Sequence, residues 1–254
     1  MIELKTPSEI DAMDAAGTVV ARVLAAVRAA AAPGVRPGEL DAMAADLIAE
    51  AGAVSSFRGY HPSWAPGPYP AVLCVSVDDA VVHGIPSDEP LADGALLSVD
   101  LAVHLDGWCA DAAFSTVVGT PSAADQEMID TAERALAAGI AAAVPGARMG
   151  DVGHAIAAVA RGAGYGMLDD HGGHGVGRSM HEAPSVPNEG KAGRGARLRA
   201  GLVIAIEPML TRGTDRYRHD PDGWTLRTAD GSRAAHAEHT IAVTDAGPRV
   251  LTSV

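Results

Sequence analysis

Residues 94–100, GALLSVD, contain a series of strand-forming apolar residues and end on a single acid, Asp100. Residues 201–207, GLVIAIE, repeat that arrangement and end on Glu207. A carboxylate in such a place lies in or beside a core strand. There an isolated charge costs on the order of several kcal/mol, or its pKa rises until the group is neutral. Each of these acids therefore needs a partner inside the fold.

The matching segments belong to a longer internal duplication. Residues 33–40, PGVRPGEL, align with residues 145–152, PGARMGDV, at an offset of 112 positions. The pairs Ala51-Gly52 and Ala163-Gly164 keep the same offset. In both copies one helical pattern ends at the Pro-Gly pair, Pro33-Gly34 or Pro145-Gly146, and a second helical pattern follows. Duplication explains this register better than chance.

Each half begins with helices and continues into strands. Thr6-Pro7-Ser8-Glu9 combines an N-cap hydroxyl, an early proline and a glutamate three residues after the cap, which predicts a helix start. Apolar runs bounded by Gly and Asp predict strands over residues 72–77, 96–103, 112–118, 202–206 and 240–243. We therefore expect one domain, 1–254, whose α+β halves, approximately 1–119 and 120–254, share a curved sheet with a cleft at their pseudo-twofold axis.

The duplication extends to the acids. Asp111 follows Asp100 in the first half, and Glu238 follows Glu207 in the second. Lys and Arg are scarce in these segments, and carboxylates that converge without basic partners repel one another. A divalent cation removes both the repulsion and the cost of burying the charges. The sequence therefore predicts that the four acids meet around metal.

The type and number of ligands narrow the expected metal site. His174, in the Gly-rich segment GGHGVG, adds one imidazole to the four carboxylates. A single ion seldom takes four carboxylates from separate strands, so the set favours two ions roughly 3.5 Å apart, bridged by carboxylates and a water. Oxygen ligands with one nitrogen suit Mn(II), Fe(II) or Co(II). Zn(II) is compatible too, although no cysteine pair has the spacing of a structural zinc site.

Two further histidines lie in loops that contain Gly and Pro, His83 in VVHGIP and His181 in SMHEAP. Loops that line a cleft carry functional groups more often than other segments, so both are candidates for acid–base roles. His239 follows Glu238 directly and on a strand would face the other side. The remaining histidines considered are interpreted as structural or solvent-exposed: His104, His154 and His219.

The composition argues against several other classes of protein. A net charge of −13 disfavours broad nucleic-acid binding, which needs a basic face. No apolar run reaches the roughly 18–20 residues of a membrane span, and no secretory signal is visible. The two cysteines, Cys74 and Cys109, do not form a disulfide framework, which fits a cytoplasmic location. Neither a Gly-x-Ser-x-Gly elbow nor an HExxH helix is present, which disfavours serine hydrolases and zincins.

In combination these motifs resemble type I methionine aminopeptidases, which are metallopeptidases of the M24 type. The resemblance rests on VHGIP, SVD, GHGVGR, HEAP, IEP and EHT, with Asp111 eleven residues after Asp100, and it runs from about Thr6 to the C-terminus. It implies the pita-bread fold of the creatinase and aminopeptidase enzymes, in which two α+β halves surround a curved antiparallel sheet.

The resemblance also implies how the ligands are shared between two metal ions. Asp100 would hold one ion. His174 and Glu207 would hold the other. Asp111 and Glu238 would bridge them, and a metal-bridging hydroxide would attack the carbonyl that follows the first methionine of the substrate.

Three residues take catalytic roles by the same resemblance. His181 would polarise the attacked carbonyl, His83 would contact the scissile amide, and Glu207 would shuttle the proton. The apolar pocket for the methionine side chain is expected to comprise Tyr60, Tyr69, Cys74, Met180 and Trp224. Met180 and Phe57 differ from residues common in relatives, as does Ala237, and the loop at 61–68 is longer than usual.

The resemblance leaves two other functions to be tested against this one. A non-catalytic module that binds chain termini would have lost its metal ligands, whereas all five are present. A proline-specific peptidase would carry an additional N-terminal domain, for which the segment before the first core strand is too short. The expected partners are N-termini of nascent polypeptides with a small second residue. The chain is expected to be a monomer. Ribosome contact suits a cotranslational enzyme, although a net charge of −13 shows no basic docking patch.

Overall fold

The structure, a computed structural model, describes residues 2–253, which form four helices and fifteen strands. The helices are α1 (Pro7–Ala30), α2 (Pro37–Glu50), α3 (Ala123–Ala142) and α4 (Met149–Gly162). The strands of the first half are β1 (Val54–Ser55), β2 (Cys74–Val77), β3 (Ala80–Val82), β4 (Leu96–Leu105) and β5 (Trp108–Val117). Those of the second half are β6 (Gly166–Met167), β7 (Gly172–Gly175), β8 (Glu182–Pro187), β9 (Val203–Ile206), β10 (Met209–Thr211), β11 (Tyr217–His219), β12 (Leu226–Thr228), β13 (Ala234–His236), β14 (Glu238–Thr244) and β15 (Gly247–Val250).

The helices begin where the sequence signals place them. Thr6 caps α1, where its backbone N–H donates to the Glu9 carboxylate at 2.8 Å. Helices α2 and α4 both have 14 residues, and α4 begins 112 positions after α2. Their first turns are capped alike, because Arg36 N–H donates to Glu39 and Arg148 N–H donates to Asp151. The structure thus keeps the offset found in the sequence.

The main sheet has nine strands and runs through both halves of the chain. Its order is β1-β4-β5-β14-β9-β7-β8, with β2 also paired to β4 and β15 to β14, and the pairs are antiparallel. The two halves join where β5 pairs with β14. Two three-stranded sheets, β13-β10-β6 and β11-β12-β3, accompany it. The expected architecture of two α+β halves that share one antiparallel sheet is confirmed.

Side chains along the central strands alternate between the two faces of the main sheet, and the helices cover one of these faces. Val99 and Leu101 on β4 pack in one core cluster with apolar residues of α1 and α2, and so do Ala112 and Phe114 on β5. Consecutive strand residues point to opposite faces. The residues between them, which include Asp100, therefore project from the other side of the sheet. Isoleucines of β9 and β14 pack in the same way with α3 and α4.

None of the helices in residues 2–253 combines the length and apolar character that crossing a membrane requires.

Candidate metal centre and substrate cavity

Four neighbouring strand segments bring the predicted acids together. Asp100 on β4 and Glu238 on β14 both pair with Ala113, from opposite sides of β5. Asp111 lies two residues before Ala113 on β5, so its side chain shares the same face. Glu207 directly follows β9, the strand that pairs with β14 on its other side. All four carboxylates line a single cavity.

His174 on β7 completes the cluster. Its Nε2 lies 3.5 Å from Glu207 Oε1 and 3.9 Å from Asp111 Oδ2. Its Nδ1 lies 3.0 Å from the carbonyl oxygen of Gly175, an interaction in which Nδ1–H donates. That assignment leaves the Nε2 lone pair directed at the acids, as in a metal-ligating histidine. Ligand atoms of Asp111, His174 and Glu238 all lie within 4.8 Å of one another.

A close approach between strands explains the glycine before this histidine. A Cβ on Gly173 would lie 2.1 Å from the carbonyl oxygen of Ala205 on β9. Only a residue without a side chain lets β7 come this near to β9. The glycine therefore holds His174 close to the carboxylate of Glu207.

The acids are buried without the usual partners. Asp111 is 4% exposed and Glu238 is 2% exposed. One oxygen each of Asp100, Asp111 and Glu238 is buried and has no hydrogen-bond partner in the part of the chain that the structure describes. Among residues 2–253, no Lys or Arg forms a salt bridge with any of the four carboxylates. Carboxylate oxygens with an imidazole nitrogen are a donor set that fits divalent cations.

Burial and mutual repulsion govern the protonation of this cluster. Burial, followed by the charge of Asp111, raises the pKa of Glu207 to about 8. Burial and neighbouring acids also raise the pKa values of Asp100 and Glu238 well above the ordinary range. Burial lowers the pKa of His174 to about 3, so its imidazole is neutral. Without a cation these acids therefore tend to take up protons, whereas a bound cation would favour their ionised forms.

The cavity has a volume of about 750 Å³ and an apolar wall beside the acids. The residues expected to form the pocket all line it: Tyr60, Tyr69, Cys74, Met180 and Trp224. Cys74 on β2 pairs with Asp100, which places it next to the carboxylates. Tyr69 and Trp224 meet edge to face, with ring centroids 5.0 Å apart. Phe57 also belongs to this wall and packs edge to face on Tyr69.

The two candidate acid–base histidines lie on the same cavity. The His181 ring is 4.2 Å from that of His174, and its Nδ1 is 3.2 Å from the Tyr60 hydroxyl. His83 has a φ of +59°, a left-handed conformation that is uncommon outside glycine. Burial, with smaller effects from neighbouring histidines, lowers the pKa of His83 to about 4. Both rings can therefore act as neutral hydrogen-bonding groups at neutral pH, since burial also lowers the pKa of His181.

His236 and Trp64 are among the cavity residues that the sequence did not predict. His236 is 2% exposed, and its Nε2 lies 3.8 Å from Glu207 Oε2 and 3.9 Å from Glu238 Oε2. Its spacing of two from Glu238 on a strand was an available signal for a shared face. Trp64, in the long loop, stacks beside His83 at 6.2 Å and meets Trp224 at 5.0 Å. No sequence pattern near Trp64 predicts its contact with Trp224.

His219, interpreted from sequence as structural or solvent-exposed, is exposed and lines the cavity. The expectation that His239 faces away from the acids agrees with its contact to the Thr252 hydroxyl, 2.8 Å from Nδ1.

Comparison with known proteins points to one family. Residues 11–245 match metallopeptidase family M24. Methionine aminopeptidase 1 of Mycobacterium tuberculosis is 51% identical over 99% of this chain and 95% of its own length. The crystal structure of methionine aminopeptidase from Thermotoga maritima is 38% identical, covers 100% of both chains and superimposes with a TM-score of 0.95. Prolidase from Pyrococcus furiosus, 23% identical with a TM-score of 0.76 over 99% of this chain and 65% of the prolidase, shares the fold.

The family match covers most of the chain, and the bacterial relatives match it over nearly their full length. Ligand atoms of Asp111, His174 and Glu238 lie close enough together to hold a metal ion, as a peptidase of this family requires. This chain is a metal-dependent peptidase that belongs to metallopeptidase family M24 and, within it, to the methionine aminopeptidases.

Proposed function

We propose that this peptidase removes the N-terminal methionine from nascent proteins and peptides whose second residue is small, using two divalent cations. The observation that carries the proposal is the row of buried acids with partnerless oxygens beside an apolar, aromatic-walled cavity. The relatives that match over their full length are named methionine aminopeptidases, which supports the same reaction. Residues 1–254 act as one catalytic domain, because one sheet runs through both halves.

Five residues hold the cations in this proposal: Asp100, Asp111, His174, Glu207 and Glu238. Asp100 would hold one cation, and His174 with Glu207 would hold the other. Asp111 and Glu238 would contribute to both, since their strands lie between those of Asp100 and His174 in the sheet. The donor set suits Mn(II), Fe(II) or Co(II), with Zn(II) as a further occupant. When bound, such cations polarise a carbonyl and make a water nucleophilic near neutral pH.

His181 stabilises the carbonyl oxygen of the first peptide bond as negative charge develops on it. When the Tyr60 hydroxyl donates to Nδ1, the proton of the neutral ring resides on Nε2. From there it can donate a hydrogen bond to the substrate oxygen. A positioned donor of this kind contributes typically 10²–10³-fold to the rate.

His83 and Glu207 act at the nitrogen of the scissile amide. The left-handed backbone at His83 turns its ring into the cavity, beside Trp64. There it contacts the scissile amide. Glu207 accepts the proton of the attacking water and returns it to the leaving amine, which is a general acid–base role for a carboxylate.

The apolar wall binds the first side chain of the substrate. Tyr69 and Trp224 are 3% and 5% exposed, and Cys74 and Met180 are also buried, so these side chains present a preformed apolar surface. A flexible, unbranched thioether can fill an irregular pocket of this kind. Tyr60 closes the side of the pocket nearest to His181.

The physiological setting follows from the proposed substrate. Nascent N-termini arise at the ribosome, so we propose a cytoplasmic monomer that acts there on emerging chains. Analytical ultracentrifugation of the purified protein is expected to give the monomer mass of 25.8 kDa. Co-sedimentation with translating ribosomes tests the second part, and the absence of any ribosome-bound fraction would contradict it.

The experiment that tests the reaction uses three peptides with the Mn(II)-loaded protein. Met-Ala-Ser is expected to release free methionine, and Met-Leu-Ser is expected to resist because its second residue is bulky. Chelation with EDTA should abolish the release, and Glu207→Gln should do so without preventing folding. Binding of Met-Ala-Ser without release would indicate a non-catalytic module, and turnover of Ala-Pro-Ser would indicate a proline-specific peptidase.

A further inference from the structure

His236 is a buried imidazole on β13 that lies beside the clustered acids. Its side chain is 2% exposed, and Nε2 has no hydrogen bond to any described residue. A buried polar atom left in this state costs about 1–3 kcal/mol, so it calls for an explanation. None of the roles assigned above to other residues uses it.

The backbone fixes where this ring can lie. Ser115 on β5 accepts from the backbone N–H of His236 at 2.9 Å and donates to its carbonyl oxygen at 2.8 Å. Ser98 on β4 is 2.8 Å from Ser115, which ties the arrangement to the next strand. His236 and Glu238 are separated by one residue of extended chain, so both side chains project from the same face. The ring is therefore held beside the row of acids.

The imidazole faces one oxygen of each glutamate and leaves the other oxygen free. Its Nε2 is 3.8 Å from Glu207 Oε2 and 3.9 Å from Glu238 Oε2. Glu207 Oε1 instead faces His174 at 3.5 Å, and Glu238 Oε1 is buried without a hydrogen-bond partner. Each carboxylate thus has one oxygen turned toward His236 and one available for a cation.

We propose that His236 is a positioning residue for the metal centre. Its Nε2–H donates to the Oε2 atoms of Glu207 and Glu238 when the metal centre forms. This contact orients the opposite oxygens of the two glutamates toward the cations. Hydrogen bonds to metal-ligating carboxylates typically improve metal affinity by roughly 10- to 100-fold. The inference rests on the proposed metal centre, and it adds a residue that acts through the ligands without touching substrate.

The test compares the Mn(II) affinities of variants by isothermal titration calorimetry. His236→Leu fills similar space but removes the donor, and a loss of roughly 10- to 100-fold in affinity is expected. His236→Gln keeps an N–H near the position of Nε2 and should remain within a few-fold of the wild type. His104→Gln is the matched control, because His104 lies outside the acid cluster and contacts the Ser56 hydroxyl at 2.7 Å. Its Mn(II) affinity should not change.

The outcomes separate this inference from the proposed function. If the wild-type protein binds no Mn(II), the metal centre itself is wrong. If the wild type binds but His236→Leu binds equally well, only the positioning role is overturned. Equal losses in the Leu and Gln variants would also overturn it, because a donor would then not suffice. Should His236→Leu not fold, as judged by circular dichroism, His236→Met takes its place in the same comparison.

Discussion

Asp100 and Glu238 come from different halves of the chain, yet both pair with Ala113, one from each side of β5. Their side chains therefore project from one face of the sheet, on either side of the strand that carries Asp111. The join between the halves is thus also the centre of the proposed metal site. We expect changes that disturb the pairing of β5 with β14 to weaken both the fold and the binding of cations.

Removing one of the clustered charges should make the metal-free protein more stable. Asp111→Asn replaces a buried carboxylate that has a partnerless oxygen with a neutral group of the same shape. In EDTA at pH 8, we expect the free energy of unfolding to rise by about 1–3 kcal/mol. The measurement is urea denaturation. A lower free energy of unfolding in EDTA would contradict the view that the acids repel one another.

The same variant should lose the stabilisation that metal provides to the wild type. A ligand present at 100 times its dissociation constant adds about 2.7 kcal/mol to the free energy of unfolding. Mn(II) should therefore raise the melting temperature of the wild type and not that of Asp111→Asn. Asp106→Asn, a change of the same kind at an exposed turn, should respond to Mn(II) as the wild type does.

The acid-bearing strands could be predicted because their signal is local. Apolar residues alternate around Asp100 and precede Glu207, and buried carboxylates without basic partners imply a cation. The repeat at an offset of 112 positions extended the prediction to the second half of the chain. Helices α2 and α4 show the same offset in the structure. The short strands near the cavity, β10 to β13, have three residues each, which is too few for a pattern of period two to be recognised.

Long-range packing explains what the sequence did not reveal. Trp64 reaches the cavity because its loop folds back over Gly223, where a Cβ would lie 2.5 Å from Pro66. Those residues are far apart in the chain, so no spacing rule connects them. His236 could have been included from its position two residues before Glu238, but one histidine on a short strand is a weak signal without the location of Glu207.

Loss of the His181 ring should slow the chemical step while leaving the cations bound. His181→Ala removes the proposed donor to the carbonyl oxygen, and we expect kcat for Met-Ala-Ser to fall by about 10²–10³-fold. The affinity for Mn(II), measured by calorimetry, should change little, because within residues 2–253 the contact given between His181 and the cluster is the one with the ring of His174. His154→Ala, at an exposed position on α4, serves as the control for kcat. An unchanged kcat in His181→Ala would exclude the proposed role.

Trp64 should contribute to substrate binding more than to turnover. Its ring packs against Trp224 and His83 at the cavity wall. An aromatic contact of this kind is worth about 0.5–1.5 kcal/mol, so Trp64→Ala should raise KM by about 2- to 10-fold with a smaller change in kcat. Val144→Ala, at another exposed apolar residue that does not line the cavity, is the comparison variant. A fall in kcat at constant KM would argue for a different role of the loop.

A side chain at Gly173 should separate β7 from β9. The added Cβ of Gly173→Ala would lie 2.1 Å from Ala205 O, so the strands must move. Forced overpacking typically costs about 1–3 kcal/mol, and the shift also carries His174 away from Glu207. Urea denaturation and Mn(II) calorimetry should therefore both report losses. Gly162→Ala, where the new Cβ meets nothing within 4 Å, should lose neither stability nor metal affinity.

The central claim is that cations lie between the five clustered side chains, and anomalous diffraction from a Mn(II)-loaded crystal tests it most directly. The account predicts two anomalous peaks roughly 3.5 Å apart, bounded by Asp100, Asp111, His174, Glu207 and Glu238. A loaded crystal with no peak among these residues, or with manganese only elsewhere on the protein, would contradict it.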